Sequence, residues 1–293
     1  MPSSDVVRAR LLLLRAVEPP APFTCQFVAV HGPVDAAASI QHGTAPAAVL
    51  SEVSRRDVQI SPDLQAIEDG TARLLVPEDD DWPVERLSAL ASADAPPLAL
   101  WLRGRASLAA HTATAVTITG SRASTAYGNT IAAHFGGALA DAGATVVSGG
   151  GFGIDESAHR GALVAGRQTI LILPCGVDQI YPSRHDRLHS EIVDQGGLLI
   201  SEYSIGSVPN RIRFHARCRL LAALTAATVV VEAGRKSGAL RVAEIANRLN
   251  RRVYGVPGPI HAATSTGVNE LLRVGGAVMA TSVEHVEYSE TSR

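Results

Sequence analysis

TATAVTITGSRASTAYGNTIAAHFGGALADAGATVVSGGGFGIDESAHRGAL, residues 112–163, is the stretch whose reading decides the fold. Val116 and Ile118 belong to a short β-branched run that stops at Gly120-Ser121-Arg122. Apolar residues at helical spacing follow, at Ile131, Phe135, Ala138 and Leu139. The pattern is strand, phosphate-sized turn, helix. Gly143 stands where a helix C′ residue would, and a second β-branched run over Ala144 to Val147 leads into a second glycine-rich turn, Ser148 to Gly153. Glycines let backbone N–H groups approach a ligand closely, and a helix N-terminus adds partial positive charge, so both turns suit an anion. Arg122 supplies a full charge whose planar fork fits phosphate, where the dinucleotide turn G-x-G-x-x-G leaves no room for it. Either turn alone also reads as tight strand-to-helix packing. Two in register favour one ligand site.

Working outward, the same rhythm continues. Strands are predicted at 115–119, 144–148, 169–173, 197–201, 227–231 and 252–256, with helices between them. Their continuous apolar character predicts a parallel sheet covered on both faces, hence a doubly wound α/β fold. Ligands of such sheets bind beyond the carboxyl ends of the strands. There the chain places Gly120 to Arg122, Ser148 to Asp155, Pro174 to Gly176, Ser201 to Tyr203, Glu232-Ala233 and Pro257-Gly258. The segment after Gly176 turns at Tyr181-Pro182 and starts a helix at Arg184. Lys236-Ser237-Gly238 opens a helix predicted over 237–249 and repeats the anion-turn chemistry, with a simple Ser cap as the competing reading. Asp155 and His159, four apart on one helix face, resemble an acid/base pair but fit better as a helix cap and a hydrogen-bonded support residue.

Upstream, residues 5–60 hold helical fragments broken by Pro and Gly. ARLLVPEDDDWP (72–83) reads as a strand entering an acidic, solvated turn, and LALWLRG (98–104) as a second strand. The net charge of −2 hides an uneven distribution. From Arg211 to Arg252 there are nine arginines and Lys236 against Glu232 and Glu244, an excess of eight positive charges. Residues 52–81 carry nine acids against three arginines. Lys236 is the only lysine, so the positive charge rests almost wholly on guanidinium groups, which suit phosphate and base stacking. The three cysteines, Cys25, Cys175 and Cys218, lack metal-ligand or disulfide spacing, and no metal or cofactor is indicated. LLLL at 11–14 is too short to span a membrane or to signal, which leads us to expect a cytoplasmic protein.

Taken in order, GSRASTAYG (120–128), SGGGFGIDESAHRGAL (148–163), PCGVDQIYP (174–182), SEY (201–203), RFHARCRLLAALT (213–225), VVVEAGRKSGAL (229–240), VPG (256–258) and GVNELLRVGGA (267–277) closely resemble the DNA-processing protein A (DprA/Smf) family. The likeness covers roughly residues 70–285 and extends more weakly to the N-terminal helices. It implies a small helical, SAM-like domain over 1–68 and an extended Rossmann-like DNA-binding domain over 69–290, without dinucleotide chemistry or catalysis. It further implies a homodimer that binds single-stranded DNA and loads the RecA recombinase. The residues it assigns to DNA and its phosphates are Gly120, Ser121, Arg122, Tyr127, Gly128, Ser148, Gly149, Gly150, Gly153, Arg184, Arg213, Arg217, Arg219, Lys236, Ser237 and Gly238, with Asp155 and His159 in support.

Three departures stand out against that family. Cys218 replaces an Asn between Arg217 and Arg219, Phe152 replaces a residue that is often basic, and the chain ends at Arg293 without the winged helix of many members. Helix periodicity sets Arg217 and Arg219 about 160° apart, so both are not expected to face the core. A rival reading is a phosphoribohydrolase acting on nucleoside monophosphates, whose P-G-G-x-G-T-x-x-E turn resembles Ser148 to Glu156. Ser148 and Ile154 break that pattern and the acid is shifted.

Overall fold

The computed structural model describes residues 2–93 and 95–288. The chain divides into two compact units. The smaller comprises Met1–Arg103, Pro174–Gln179 and Ile200–Ala216, and the larger Gly104–Leu173, Ile180–Leu199 and Arg217–Arg293.

The smaller unit opens with helices α1 (Ser4–Ala16), α2 (Pro22–His42), α3 (Ala47–Glu52) and α4 (Ser61–Glu68). The Ser3 hydroxyl caps α1 by accepting from the Val6 N–H, and Leu11, Leu13 and Leu14 bury its inner face. Helix α2 breaks at Gly32-Pro33, where Gly32 takes φ 78°, a conformation that resists any side chain. Asp63 of α4 is buried, accepts from Arg15 of α1 and, at 3.1 Å, from the Ile205 N–H. Burial pushes its carboxyl above the ordinary carboxylate value, and Arg15 pulls it back. Strand β1 (Arg73–Leu75) pairs antiparallel with β2 (Leu100–Arg103), the short helices α5 (Val84–Leu87) and α6 (Leu90–Ala93) lying between them in sequence. The acidic run after β1 is a turn: Asp79 accepts from the Val76 N–H at 3.0 Å, and Asp81 reaches back to Arg73 at 3.3 Å.

The larger unit begins with α7 (Leu108–Thr112) and continues through β3 (Ala115–Thr119), α8 (Ala126–Asp141), β4 (Thr145–Gly149), α9 (Ile154–Val164), β5 (Thr169–Ile172) and α10 (Asp186–Asp194). Strand β6 (Leu198–Ser201) and helix α11 (Arg211–Ala223) are each divided between the units, the larger holding Leu198-Leu199 and the part of α11 from Arg217. The larger unit continues with β7 (Ala227–Val230), α12 (Gly238–Arg248), β8 (Arg252–Gly255), α13 (Thr266–Arg273) and β9 (Val278–Met279). The sheet order is β6-β5-β4-β3-β7-β8-β9, and the pairings of β5 with β4, β4 with β3, β3 with β7, β7 with β8 and β8 with β9 are parallel. From β3 the chain winds outward through β4, β5 and β6, then returns to add β7, β8 and β9 on the other side of β3. The switch point of this doubly wound sheet therefore lies between β3 and β7. All six expected strands match to within one residue at either end.

The core of this unit joins Val116, Ile118, Val146 and Val229 of the sheet to Phe135, Leu139, Ala158 and Ala162 of α8 and α9. Those two helices touch backbone to backbone. A methyl on Gly136 would strike the Ala158 carbonyl, and one on Gly161 the Ala133 carbonyl. The helix pair in turn fixes where the two glycine-rich turns begin. Gly161→Ala should lower unfolding free energy by about 1–3 kcal/mol, read from urea titration, because overpacking here must push two helices apart. An unchanged midpoint would show that the pair can separate freely.

Candidate functional site

The first turn leaves β3 at the switch point. The Ser121 N–H donates to the Glu232 carbonyl at 2.7 Å, which fastens this turn to the end of β7. The Glu232 side chain, 2% exposed, then accepts from the Thr125 N–H at 2.9 Å and the Thr125 hydroxyl at 2.6 Å. Thr125 is also the N-cap of α8, accepting from the Gly128 N–H at 3.1 Å. A carboxylate thus already occupies the start of α8, where the macrodipole favours negative charge. Gly128 is buried beneath it, and a Cβ there would fall on the Glu232 carboxyl. Gly120 is packed equally closely against Ile154. These two glycines build the turn.

The second turn is clasped to the first. The Ile154 N–H donates to the Ser121 carbonyl at 3.2 Å, and Gly153, at φ 75°, packs against the Ser121 and Arg122 carbonyls. Beneath the turn lie two buried charges. The Asp155 carboxylate accepts from the Thr119 hydroxyl at 3.0 Å and the Gly151 N–H at 3.3 Å. Arg217 donates to the Ile172 carbonyl at 3.1 Å. A Cβ on Gly149 would stand 2.6 Å from Asp155 Oδ2 and 2.7 Å from Arg217 Nη2, so carboxylate and guanidinium converge on the space that glycine leaves. Burial raises the Asp155 pKa above 3.8, and the charge of Arg217 opposes that rise.

His159 braces the same turn from below. It is fully buried, with Nε2 3.0 Å from the Gly149 carbonyl and Nδ1 2.8 Å from the Thr169 hydroxyl. Burial lowers its pKa to about 3, so the ring is neutral. A carbonyl only accepts, which puts the ring hydrogen on Nε2; Nδ1 and the Val146 carbonyl, 2.7 Å from the Thr169 hydroxyl, are then two acceptors for its single hydrogen. His185 supports the upper side: one ring nitrogen lies 3.2 Å from the Gly150 carbonyl and the other 3.1 Å from Glu156 Oε2. The ring of Phe152, at the crest of the turn, meets His185 edge to face with centroids 4.7 Å apart.

Of the residues assigned from the sequence, Arg122, Tyr127, Arg184, Lys236 and Gly238 are exposed, and Ser121, Gly153 and Ser237 are half-buried. Tyr127 donates to the Pro257 carbonyl at 3.2 Å, and the Ser237 hydroxyl accepts from the Ala239 N–H at 3.3 Å, capping α12. Ser148, Gly149 and Gly150 are buried, the Ser148 hydroxyl donating to the Ile118 carbonyl at 2.6 Å. Arg213 belongs to the smaller unit, where it donates to Glu18 at 2.6 and 2.9 Å and to the Val208 carbonyl at 2.7 Å and lies 4.6 Å over the Tyr203 ring.

The expectation that Arg217 and Arg219 do not both face inward is corrected. Their exposures are 7% and 2%. Every residue from Ala216 to Thr225 is buried, so this part of α11 is covered all round and has no outward face. Cys218 between them is buried as well, its thiol pointing to the Gly238 carbonyl at 4.0 Å and pushed to higher pKa by burial. Sequence reading missed Glu232 as the clamp of the first turn and His185 as the prop of the second. An acid directly after an apolar strand was the available signal for the first. Nothing in the sequence marked the second.

Three turns at neighbouring strand ends, opening at a switch point and edged by exposed cations, define a Rossmann-like α/β protein. Known proteins agree. The family model described as DNA recombination-mediator protein A matches residues 73–289. A DprA-type DNA processing protein of Mycobacterium tuberculosis is 39% identical over 290 residues, covering 96% of this chain and 74% of the relative. The crystal structure of DNA processing protein A from Streptococcus pneumoniae superposes with a TM-score of 0.78 at 27% identity, covering 99% of both chains. DNA processing protein A from Helicobacter pylori, whose structure shows a single-stranded DNA binding mode, matches at TM-score 0.63 and 30% identity over 73% of this chain and 93% of its own. This chain belongs to the DNA recombination-mediator protein A family, a family of DNA-processing proteins. Among the described residues no metal-binding cluster occurs, and no helix is long and apolar enough to cross a membrane.

His159 makes stability pH-dependent in a defined direction. Unfolded, it takes a proton near pH 6.5, whereas folded it stays neutral down to about 3, so stability falls as pH drops through that window. The slope from this group reaches about 1.4 kcal/mol per pH unit. Asp155, raised above 3.8, acts in the opposite sense. His159→Gln should therefore be less stable at pH 7 yet lose less on going to pH 5, measured by urea titration at both. Equal acid losses in the two proteins would place the titration elsewhere.

Proposed function

We propose that this chain binds single-stranded DNA with little sequence preference, through the turns at the ends of β3, β4 and β7. One observation carries the reading: exposed Arg122 and Lys236 lie in the turns that follow β3 and β7, and exposed Arg184 lies in the segment that follows β5, beside the β4 turn in the same parallel sheet order. Such a surface tracks a phosphate backbone, and none of its elements resembles a groove-reading helix. The single-stranded DNA binding mode of the Helicobacter pylori relative supports the same ligand. By family resemblance the bound strand is protected and handed to RecA during recombination or natural transformation, by a cytoplasmic homodimer whose DNA-binding part spans 69–290 and whose helical part spans 1–68.

No catalysis is assigned. Asp155 is buried and bonded inward, His159 is locked as a neutral support, and Glu156 is tied to His185 and, at 2.9 Å, to Arg160.

If these three cations each neutralise one phosphate, log affinity should fall against log salt with a slope of about −2. Arg122→Ala should weaken binding and flatten that slope by about 0.7, with the melting temperature unchanged because the residue is exposed. Arg122→Lys should restore the slope but only part of the affinity, since an ammonium lacks the bidentate fork. Fluorescence anisotropy with labelled oligonucleotides measures all three. A slope near zero for the native protein would remove the phosphate-binding account.

A further inference from the structure

We propose that Phe152 is a stacking platform for a nucleobase, so that the second glycine turn grips a base as well as phosphates. The proposal rests on the single-stranded DNA reading above. Phe152 is 41% exposed, flanked by Gly151 and Gly153 in the second turn. Its position is nevertheless fixed. The ring contacts His185 with planes 77° apart. In that edge-to-face arrangement His185 takes at most one face of the phenyl ring, and the exposed part of the ring is where a ligand would meet it. His185 is itself held at both nitrogens, by Gly150 and Glu156, and is 2% exposed. The platform is therefore ordered before anything binds, and stacking on it sacrifices little side-chain freedom.

The surroundings specify the partner. Arg122 packs along the same turn, its Cγ 3.5 Å from where a Gly151 Cβ would be. Exposed Arg184 adjoins His185 in the chain. An apolar aromatic ring whose neighbours in the turn and beside His185 carry guanidinium groups suits a planar base whose flanking phosphates are anionic. In duplex DNA the base faces are already stacked, so the site selects unpaired strands. Every base has a π-face, so stacking adds affinity without dictating sequence.

The test compares oligothymidine with an abasic phosphodiester of equal length and charge, at one salt concentration. The native protein should bind oligothymidine more tightly than the abasic strand. Phe152→Ala should lose about ten-fold for oligothymidine and nothing for the abasic strand. Phe152→Trp should keep the preference, and its new indole fluorescence should be quenched by oligothymidine alone. Equal losses of Phe152→Ala for both strands, or none for either, would overturn the platform while leaving phosphate binding intact. Failure of the native protein to bind either strand would instead overturn the single-stranded DNA reading, and the platform with it. Melting temperatures of both variants should match the native protein, because the replaced ring is half in solvent.

Discussion

The geometry of the site depends on a charged pair held under a glycine turn. Asp155 and Arg217 converge where Gly149 has no side chain, and between them they reach β3 through Thr119, the second turn through Gly151 and β5 through Ile172. A buried carboxylate is costly unless compensated, and the guanidinium beside it supplies the compensation. Neither group is then available to a ligand. What the pair provides is position: the backbone above it is held at three points while its outer edge stays open.

Glu232 plays the corresponding part at the switch crevice. Dinucleotide-binding sheets keep the helix start after the first strand open for a pyrophosphate. Here a side chain of the protein fills that place and caps α8 through Thr125. The fold keeps the Rossmann-like frame while its principal phosphate seat is occupied internally. Any ligand must lie further out, along the rims where Arg122, Phe152, Arg184 and Lys236 are exposed. A long polymer can use such a rim, because its affinity accumulates over several shallow contacts.

How much of this was legible in the sequence follows from which signals are local. Strand positions were readable because continuous β-branched runs between glycine turns have few alternative readings, and β3 to β8 lie where those runs do. The turns themselves were readable for the same reason. The inward or outward direction of a charge was not, since it depends on what covers an element from outside. Helix periodicity sets Arg217 and Arg219 of RFHARCRLLAALT on opposite sides, yet from Ala216 onward the segment is enclosed, and both go in with it. Gly128 and Gly120 looked like ligand-facing residues. They are spacers, one for Glu232 and the other for Ile154, as only the partner's position reveals.

The same distinction revises the charge argument. The excess of eight between Arg211 and Arg252 suggested a broad basic surface. Much of it is engaged by the protein itself: Arg213 is bonded to Glu18, Arg217 and Arg219 are buried, and exposed Arg252 pairs with Glu287. Arg235, Lys236, Arg241 and Arg248 remain exposed within the larger unit, with Arg122 and Arg184 contributed from elsewhere in the sequence. A protein of net charge −2 has little long-range attraction for a polyanion, so its cations act at contact distance. Under that constraint each exposed guanidinium counts individually, and contacts that do not depend on charge, such as an aromatic face, carry a larger share of the affinity.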